Sequence, residues 1–439
     1  MAPGLAGFVA SGDDAGTWDD VIAGALVALA KAFVVVPEHG GAPGARRGTW
    51  FDTFDWRLYR AGLILEYIAA HRGGELRLAT ANPPDQSAPL EITQPVTGWQ
   101  ASRPHGPQDL PDGPIAARVA GLVTPRVLLP AVTVATTTAV SRLLNEDGKT
   151  VARLLVERPV VTGLTALAPR LTITEVRGYP GQARRAASIV ADVPGAVPAS
   201  DPVFTDALRV LDRRPGDYSN KVDAKITASM PGPEAAATIL LRLLDTIEAN
   251  VPGVLRDLDT EFLHDLRVSV RRSRSALKLF GDVLTAPRKS GAKNTGLAAD
   301  DVARFAAEFK WVGDLTTPTR DLDVHLLDFE DTARTLRAAK PDDLEPFRGY
   351  LKQRRTREFR ELARSLRSPR FVSLMQEWRA ALTKIRDNSK NIKAGTTARS
   401  GQSGRAAGET AGTLAAERTR RAFAKVAKLG AAITPASPH

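Results

Sequence analysis

The segment Glu261-Phe-Leu-His-Asp-Leu-Arg-Val-Ser-Val-Arg-Arg-Ser-Arg-Ser-Ala-Leu-Lys-Leu-Phe280 concentrates side chains suited to anion chemistry. His264, Arg267, Arg271, Arg274 and Lys278 recur at steps of three and four, which places all five on one helix face. Leu263, Leu266, Val270, Leu277 and Phe280 form the adjoining apolar stripe, the side a helix buries against its neighbours. Like charges at i, i+4 cost about a few tenths of a kcal/mol each, and an anion lying among them removes that penalty. Arginine's planar fork suits two-point contact with phosphate oxygens, and Arg272 stands beside the row. His264 adds a donor, or a charge that titrates at about 6.5 when free. The plainer alternative is a histidine satisfying a local hydrogen bond.

A second basic segment runs from Arg348 to Arg370 and sets nine bases against Glu358 and Glu361. Arg357, Arg360, Arg364 and Arg367 repeat by three and four, with Leu344, Phe347, Leu351, Phe359, Leu362 and Leu366 on the side to be buried. Two such helices suit opposite walls of a charged cleft. Between them lie Lys310-Trp311-Val-Gly-Asp314 and Arg320-Asp321-Leu-Asp323-Val-His325. Asp321 and Asp323 read as partners of arginines rather than as metal ligands.

The charge balance separates the halves. Residues 1–230 hold 23 basic and 23 acidic side chains, leaving 37 and 26 of the chain's 60 and 49 for residues 231–439. The whole excess of +11 therefore sits in the C-terminal half, which implies an anionic partner: nucleic acid, a phosphate polymer or an acidic surface. The chain has no cysteine, which excludes disulfides, thiolate metal sites and a thiol nucleophile. None of its six histidines form the i, i+4 pair of a helical zinc site.

At 439 residues, two domains are expected. The first, 1–200, reads as β-rich. Its β-prone runs are Phe33–Val36, Leu63–Ile68, Glu75–Ala79, Val132–Thr136, Thr150–Glu157 and Leu171–Val176, divided by turns at Gly40–Gly48 and Asn82–Pro84. Asn145-Glu-Asp-Gly148 reads as a hairpin turn. The apolar run Val21–Val36 contains Lys31 and follows Asp13, Asp14, Asp19 and Asp20, so it reads as a helix capped by Thr17 and ending near Ala32, then a strand. A cytoplasmic protein without membrane contact is expected. Pro194–Pro202 reads as an irregular connection, 201–230 as a linker, and 231–439 as a helical domain. Ala286–Ala299 and Asn388–Gly412 read as loops within it.

The row from His264 to Arg274, followed by Lys310-Trp-Val-Gly-Asp314 and Arg320-Asp-Leu-Asp-Val324, resembles the signature of the CHAD family, the conserved-histidine α-helical domain. That resemblance implies an all-α bundle that binds inorganic polyphosphate through His264, Arg267, Arg271, Arg272, Arg274 and Lys278, with Lys310 and Arg320. It also implies a second His- and Arg-bearing helix. Here a helix near Leu414–Lys428 is similar to its lead-in and the sequence stops at Pro438-His439, so the expectation is either a truncated chain or a half-bundle, whose uncovered apolar faces imply weak stability or self-association.

Thr49-Trp-Phe-Asp-Thr-Phe-Asp-Trp-Arg-Leu-Tyr-Arg-Ala-Gly-Leu-Ile-Leu65 looks like the CYTH family, which implies an antiparallel β tunnel and, overall, an α+β chain of two domains. CYTH chemistry needs carboxylates for divalent metal and cations for triphosphate. Here the opening Glu-x-Glu-x-Lys strand is missing, Glu66-Tyr67-Ile68 stands where bases belong, and threonines fill Val134–Val140. Arg77, Glu157 and Glu175 remain as expected tunnel residues of a degenerate domain that needs no cofactor. The alternatives are a Mg- or Mn-dependent triphosphate hydrolase or nucleotidyl cyclase in the first half, and a nucleic-acid-binding protein. Polyphosphate is the expected partner and polyphosphate granules the expected place of association.

Overall fold

The β-prone runs across residues 1–200 call for a sheet whose apolar positions are covered by helices. The computed structural model shows such a sheet. It describes residues 6–12, 14–38, 44–71, 73–81, 90–285, 296–335, 341–397 and 410–431. The chain divides into two units, Met1–Tyr218 and Ser219–His439; the division falls within the segment read as a linker.

The first unit contains β1 (Ala6–Ala10), α1 (Ala15–Ala30), β2 (Val34–Pro37), β3 (Gly44–Asp52), α2 (Arg57–Arg60), β4 (Leu63–Ala70), β5 (Gly73–Thr80) and β6 (Glu91–Val96). It continues through α3 (Pro114–Val123), β7 (Leu129–Leu144), β8 (Thr150–Val161), β9 (Arg170–Glu175), α4 (Pro180–Ala191), β10 (Ala196–Pro198) and α5 (Val203–Val210). The strands form one antiparallel sheet in the order β10-β1-β9-β8-β7-β3-β4-β5-β6, with β2 added on β7. Closure into a tunnel is not among the pairings of the described residues. One face buries Leu65, Leu76 and Leu78 under Ile115 and Val119 of α3. The same face buries Leu154, Leu171 and Ile173 with α1 and α4. On the other face Trp50, Val132 and Val161 meet Phe204, Ala207 and Leu208 of α5.

The Asn145–Gly148 turn forms as expected, with Gly148 at φ 72 and its N–H donating to Asn145 O at 3.0 Å. Several boundaries differ from the sequence reading. Helix α1 is capped by Asp14, whose carboxylate accepts from Thr17 N at 2.8 Å, so Thr17 lies inside it. Gly44–Gly48, read as turn, opens β3, because its neighbours β4 and β7 supply the hydrogen bonds that local glycines do not foretell. Pro194–Pro202 contains β10, paired with β1. Residues 39–43 and 82–89 lie outside the described residues.

Asp52 closes β3 by accepting the N–H groups of Thr53, Leu58 and Tyr59 at 2.7, 2.9 and 2.9 Å. Burial pushes its carboxyl up to about 6 from 3.8, against the pull of those three donors. Because the folded value is the higher one, the stability linked to this proton is full below 3.8 and lost as pH rises through 6, an effect of about 3 kcal/mol. Asp52→Asn is therefore expected to look more damaging at pH 4 than at pH 7 in urea unfolding. Equal deficits at both would show that Asp52 does not titrate there.

The second unit contains α6 (Gly232–Leu255), α7 (Thr260–Leu284), α8 (Ala299–Leu327), α9 (Phe329–Thr335), α10 (Glu345–Leu366), α11 (Pro369–Thr397) and α12 (Ala411–Ala431). Helix α6 packs on α7 and α11, while α8 packs on α7 and α10. Leu240, Leu244, Phe262, Leu266, Phe309 and Leu362 are buried. Trp378 is fully buried 4.5 Å from Phe305, centroid to centroid. Asn388–Thr397, read as loop, continues α11; residues 286–295, 398–409 and 432–439 lie outside the described residues. No described helix is long and apolar enough to cross a membrane.

Candidate polyanion-binding surface

The α6–α7 corner sets the phase of the first basic row. Asp257 turns the chain at φ 50, and Asp259 caps α7 by accepting from Glu261 N and Phe262 N at 2.9 and 3.3 Å. Phe262 lies so close to Gly253 that a Cβ there would meet its ring at 2.1 Å. With Phe262, Leu263, Leu266, Val270 and Leu277 buried, the cation row must point outward. Exposure increases along it: His264 and Arg267 are half-buried, while Arg271, Arg274 and Lys278 are exposed.

Helix α8 runs antiparallel beside α7. Arg267 Nη1 donates to Thr317 Oγ1 at 2.5 Å. Arg274 lies over Gly313, where a Cβ would come within 3.0 Å of its Nη1. Arg320 reaches back to Thr260 O at 3.2 Å. The cations of both helices thus line one seam. Among the described residues, Arg267, Arg271, Arg274 and Lys278 form no ion pair. Lys310 does, with Asp314 at 2.6 Å. That hydrogen bond, then the charges of Lys310 and Arg274, hold Asp314 below the usual carboxylate range. Arg272, off the row, donates to Asn220 O at 2.9 Å.

The second row is less available. Arg357 and Arg360 are exposed, but Arg364 pairs with Glu361 at 2.8 Å and Arg367 leans on Leu255 O at 3.4 Å. Helices α7 and α10 both pack on α8. The first row therefore lies along a seam with α8, and the second row is partly neutralised. Spacing carries no information on which helix stands beside which.

Arg355, off both rows, turns inward. Its Nε donates to Asp323 Oδ1 at 2.5 Å, and its Nη atoms donate to Asp257 at 2.7 and 2.6 Å. Asp323 is 1% exposed, and burial raises its pKa although Arg355 pulls it down. The roles of Arg355, Thr317 and Gly313 arise only where α8 meets α7 and α10, so spacing along the chain does not announce them.

The sheet carries a smaller charged cluster on the face partly covered by α5. Glu66 is buried, with Arg46 at 3.7 Å and Arg77 at 3.8 Å. Arg46 also approaches Glu157 at 4.0 Å, and Arg77 approaches Glu91 at 3.0 Å. Gly48 makes room, since a Cβ there would meet Glu66 Oε1 at 2.2 Å. Burial raises the Glu66 pKa against the pull of Arg46 and Arg77. Arg77 and Glu157 thus share this face. Glu175 does not: it pairs with Ala152, whose side chain belongs to the helix-covered core, so strand alternation turns it to the opposite face. No group of three metal-ligating side chains occurs among the described residues.

Comparison with known proteins places the second unit. Residues 238–439 match the family model described as the CHAD domain. No curated protein matches the chain. Among solved structures it is similar to the CHAD domain of Ricinus communis, with 23% identity and a TM-score of 0.36, over 50% of this chain and 62% of that one. The chain therefore spans less than two thirds of that structure. It is also similar to a putative adenylate cyclase of Bacillus halodurans, with 14% identity and a TM-score of 0.32, over 46% of this chain and 95% of that one. A putative adenylyl cyclase of Hippeastrum, described as having a dominant triphosphatase activity, matches with 14% identity and a TM-score of 0.32, over 49% and 99%.

Proposed function

We propose that the CHAD domain binds inorganic polyphosphate along the α7–α8 seam, with the sheet unit as a CYTH-like scaffold that performs no hydrolysis. The observation that carries this reading is the row Arg267, Arg271, Arg274 and Lys278, four cations without an ion pair among the described residues. From His264 to Lys278 the row spans about 21 Å of helix, long enough to follow several linked phosphates. Thr317 holds Arg267, and Gly313 lets Arg274 lie close to α8, so both guanidinium groups are positioned before the ligand arrives. Lys310 joins when phosphate displaces Asp314, and Arg320, Arg357 and Arg360 extend the positive field.

On the sheet, Glu66 already occupies the space between Arg46 and Arg77. An internal carboxylate there leaves a triphosphate to displace a buried ion pair, which argues against catalysis. Nucleic acid is disfavoured because the basic rows carry few aromatics for base stacking: of the candidates Tyr350 and Trp311, Tyr350 is exposed, and Trp311 is covered by the Arg370 guanidinium at 4.0 Å from the ring centroid. The proposed setting is the cytoplasm, at polyphosphate granules.

Binding driven by such a row releases counterions, so log K should fall linearly with log salt, with a slope of roughly 0.7–0.9 per phosphate engaged. Fluorescence titration with long-chain polyphosphate at several salt concentrations measures that slope. A slope near zero would overturn the mechanism. Displacement by short RNA at equal phosphate concentration would overturn the ligand.

A further inference from the structure

The two ends of the α7–α8 seam are built differently. At the head of α7 two arginines cross it in opposite directions. Arg320 Nη1 reaches from α8 to Thr260 O at 3.2 Å, and Arg267 Nη1 reaches from α7 to Thr317 Oγ1 at 2.5 Å. Thr260 and Arg267 are about 10 Å apart along the helix, and His264 sits between these two crossings. His264, Arg267 and Arg320 are half-buried, whereas Arg271, Arg274 and Lys278 are exposed.

The row of donors also stops at this end. Its next position, three before His264, is Glu261, whose carboxylate accepts hydrogen bonds and offers a phosphate none. Backbone donors there are taken as well, since Asp259 accepts from Glu261 N and Phe262 N at 2.9 and 3.3 Å. At the opposite end the corresponding acid is Asp282, four past Lys278. It is bonded by Arg418 Nη2, so a guanidinium follows the row there. A polyanion laid along the seam is led onward past Lys278 and meets a stop at His264.

We propose that the seam recognises the ends of polyphosphate chains: the terminal phosphate seats among His264, Arg267 and Arg320, and the phosphates behind it follow Arg271, Arg274 and Lys278. This rests on polyphosphate being the ligand of the seam. An internal phosphate has two non-bridging oxygens and one charge, and its chain must leave on both sides. A terminal phosphate resembles a phosphomonoester, with three acceptor oxygens and roughly −1.5 to −2 charge, and its chain leaves on one side only. Arg267 and Arg320 each commit one Nη1 to the crossings, and a guanidinium has further N–H donors to give. Together with His264 they meet the richer acceptor set of a chain end, in a place where a continuing chain finds no next donor.

The test compares long-chain polyphosphate with the same polymer after its terminal phosphates are converted to ethanolamine phosphoramidates. Capping removes a charge and an acceptor oxygen from each end and leaves the internal phosphates untouched. In fluorescence titration of the full chain at equal total phosphate, the capped polymer is expected to bind at least about tenfold more weakly. The free polymer is expected to saturate at one protein per chain end, whatever its length. Arg320→Gln should bring the two polymers to nearly equal affinity, whereas Arg274→Gln should weaken both by the same factor and keep their ratio. Glu261→Gln leaves every cation in place and should strengthen binding of the capped polymer, because internal phosphates can then pass the stop. Equal affinities for the two polymers, with protein bound per chain rising with chain length, would overturn end recognition and leave polyphosphate binding standing. A ratio unchanged by both Arg320→Gln and Glu261→Gln would refute the assignment of the end site to His264, Arg267 and Arg320. Failure to bind either polymer would instead overturn the polyphosphate reading itself.

Discussion

Arg355→Ala is expected to destabilise the helical unit by about 3–5 kcal/mol, because it removes the partner of a buried carboxylate. Asp323 is 1% exposed, and its second carboxylate oxygen already lacks a hydrogen bond. Without Arg355 its charge loses its hydrogen-bonded partner and keeps only the more distant Arg320, and Asp257 at the α6–α7 corner loses two charge-assisted bonds. The pH dependence identifies the cause. Burial already raises the Asp323 pKa, and losing the guanidinium raises it further. A folded value above the unfolded one means that stability is retained at low pH and lost as pH rises. The deficit of Arg355→Ala, read by thermal melting, should therefore shrink on acidification. Adding Asp323→Leu should recover much of the loss, since an apolar replacement leaves no buried charge. A deficit that is constant with pH and unaffected by Asp323→Leu would mean that the arginine acts through packing alone.

The joint replacement Arg267→Ala with Arg271→Ala should weaken polyphosphate binding by about 2 kcal/mol or more, roughly thirtyfold. Arg271 offers an unpaired guanidinium, and Arg267 is held in place by Thr317. The control removes equal charge elsewhere: Arg47→Ala with Arg103→Ala takes two exposed arginines from the other unit. If net charge alone governed affinity, the two double variants would lose equally, and the positional claim would fail. Thr317→Val adds a finer check. It leaves the charge unchanged but frees Arg267 to wander, so a smaller loss of affinity with an unchanged salt slope is expected.

Much of the first row was readable before any fold. Helical spacing fixed which residues share a face with His264, and the buried Leu263, Leu266, Val270 and Leu277 confirm the phase. On the sheet, β4, β8 and β9 are visible from β-branched residues, β5 from its alternating Leu76 and Leu78, and the turn at Asn145–Gly148 from its residues. β3 and β10 were not, since glycine and proline mask strands whose hydrogen bonds come entirely from distant partners.

The sequence alone determined the one-sided positive charge and its alignment along a helix, because both depend on covalent order and a fixed period of 3.6 residues. Tertiary structure decided which cations stay unpaired. Arg355 looked like one more base in a run of nine, yet it folds inward onto Asp323 and Asp257, residues 32 and 98 positions away. Arg364 meets a carboxylate on its own helix, while Arg274 rests on a glycine of another. Ion pairing acts over a few ångströms in space, and distance along the chain does not report it.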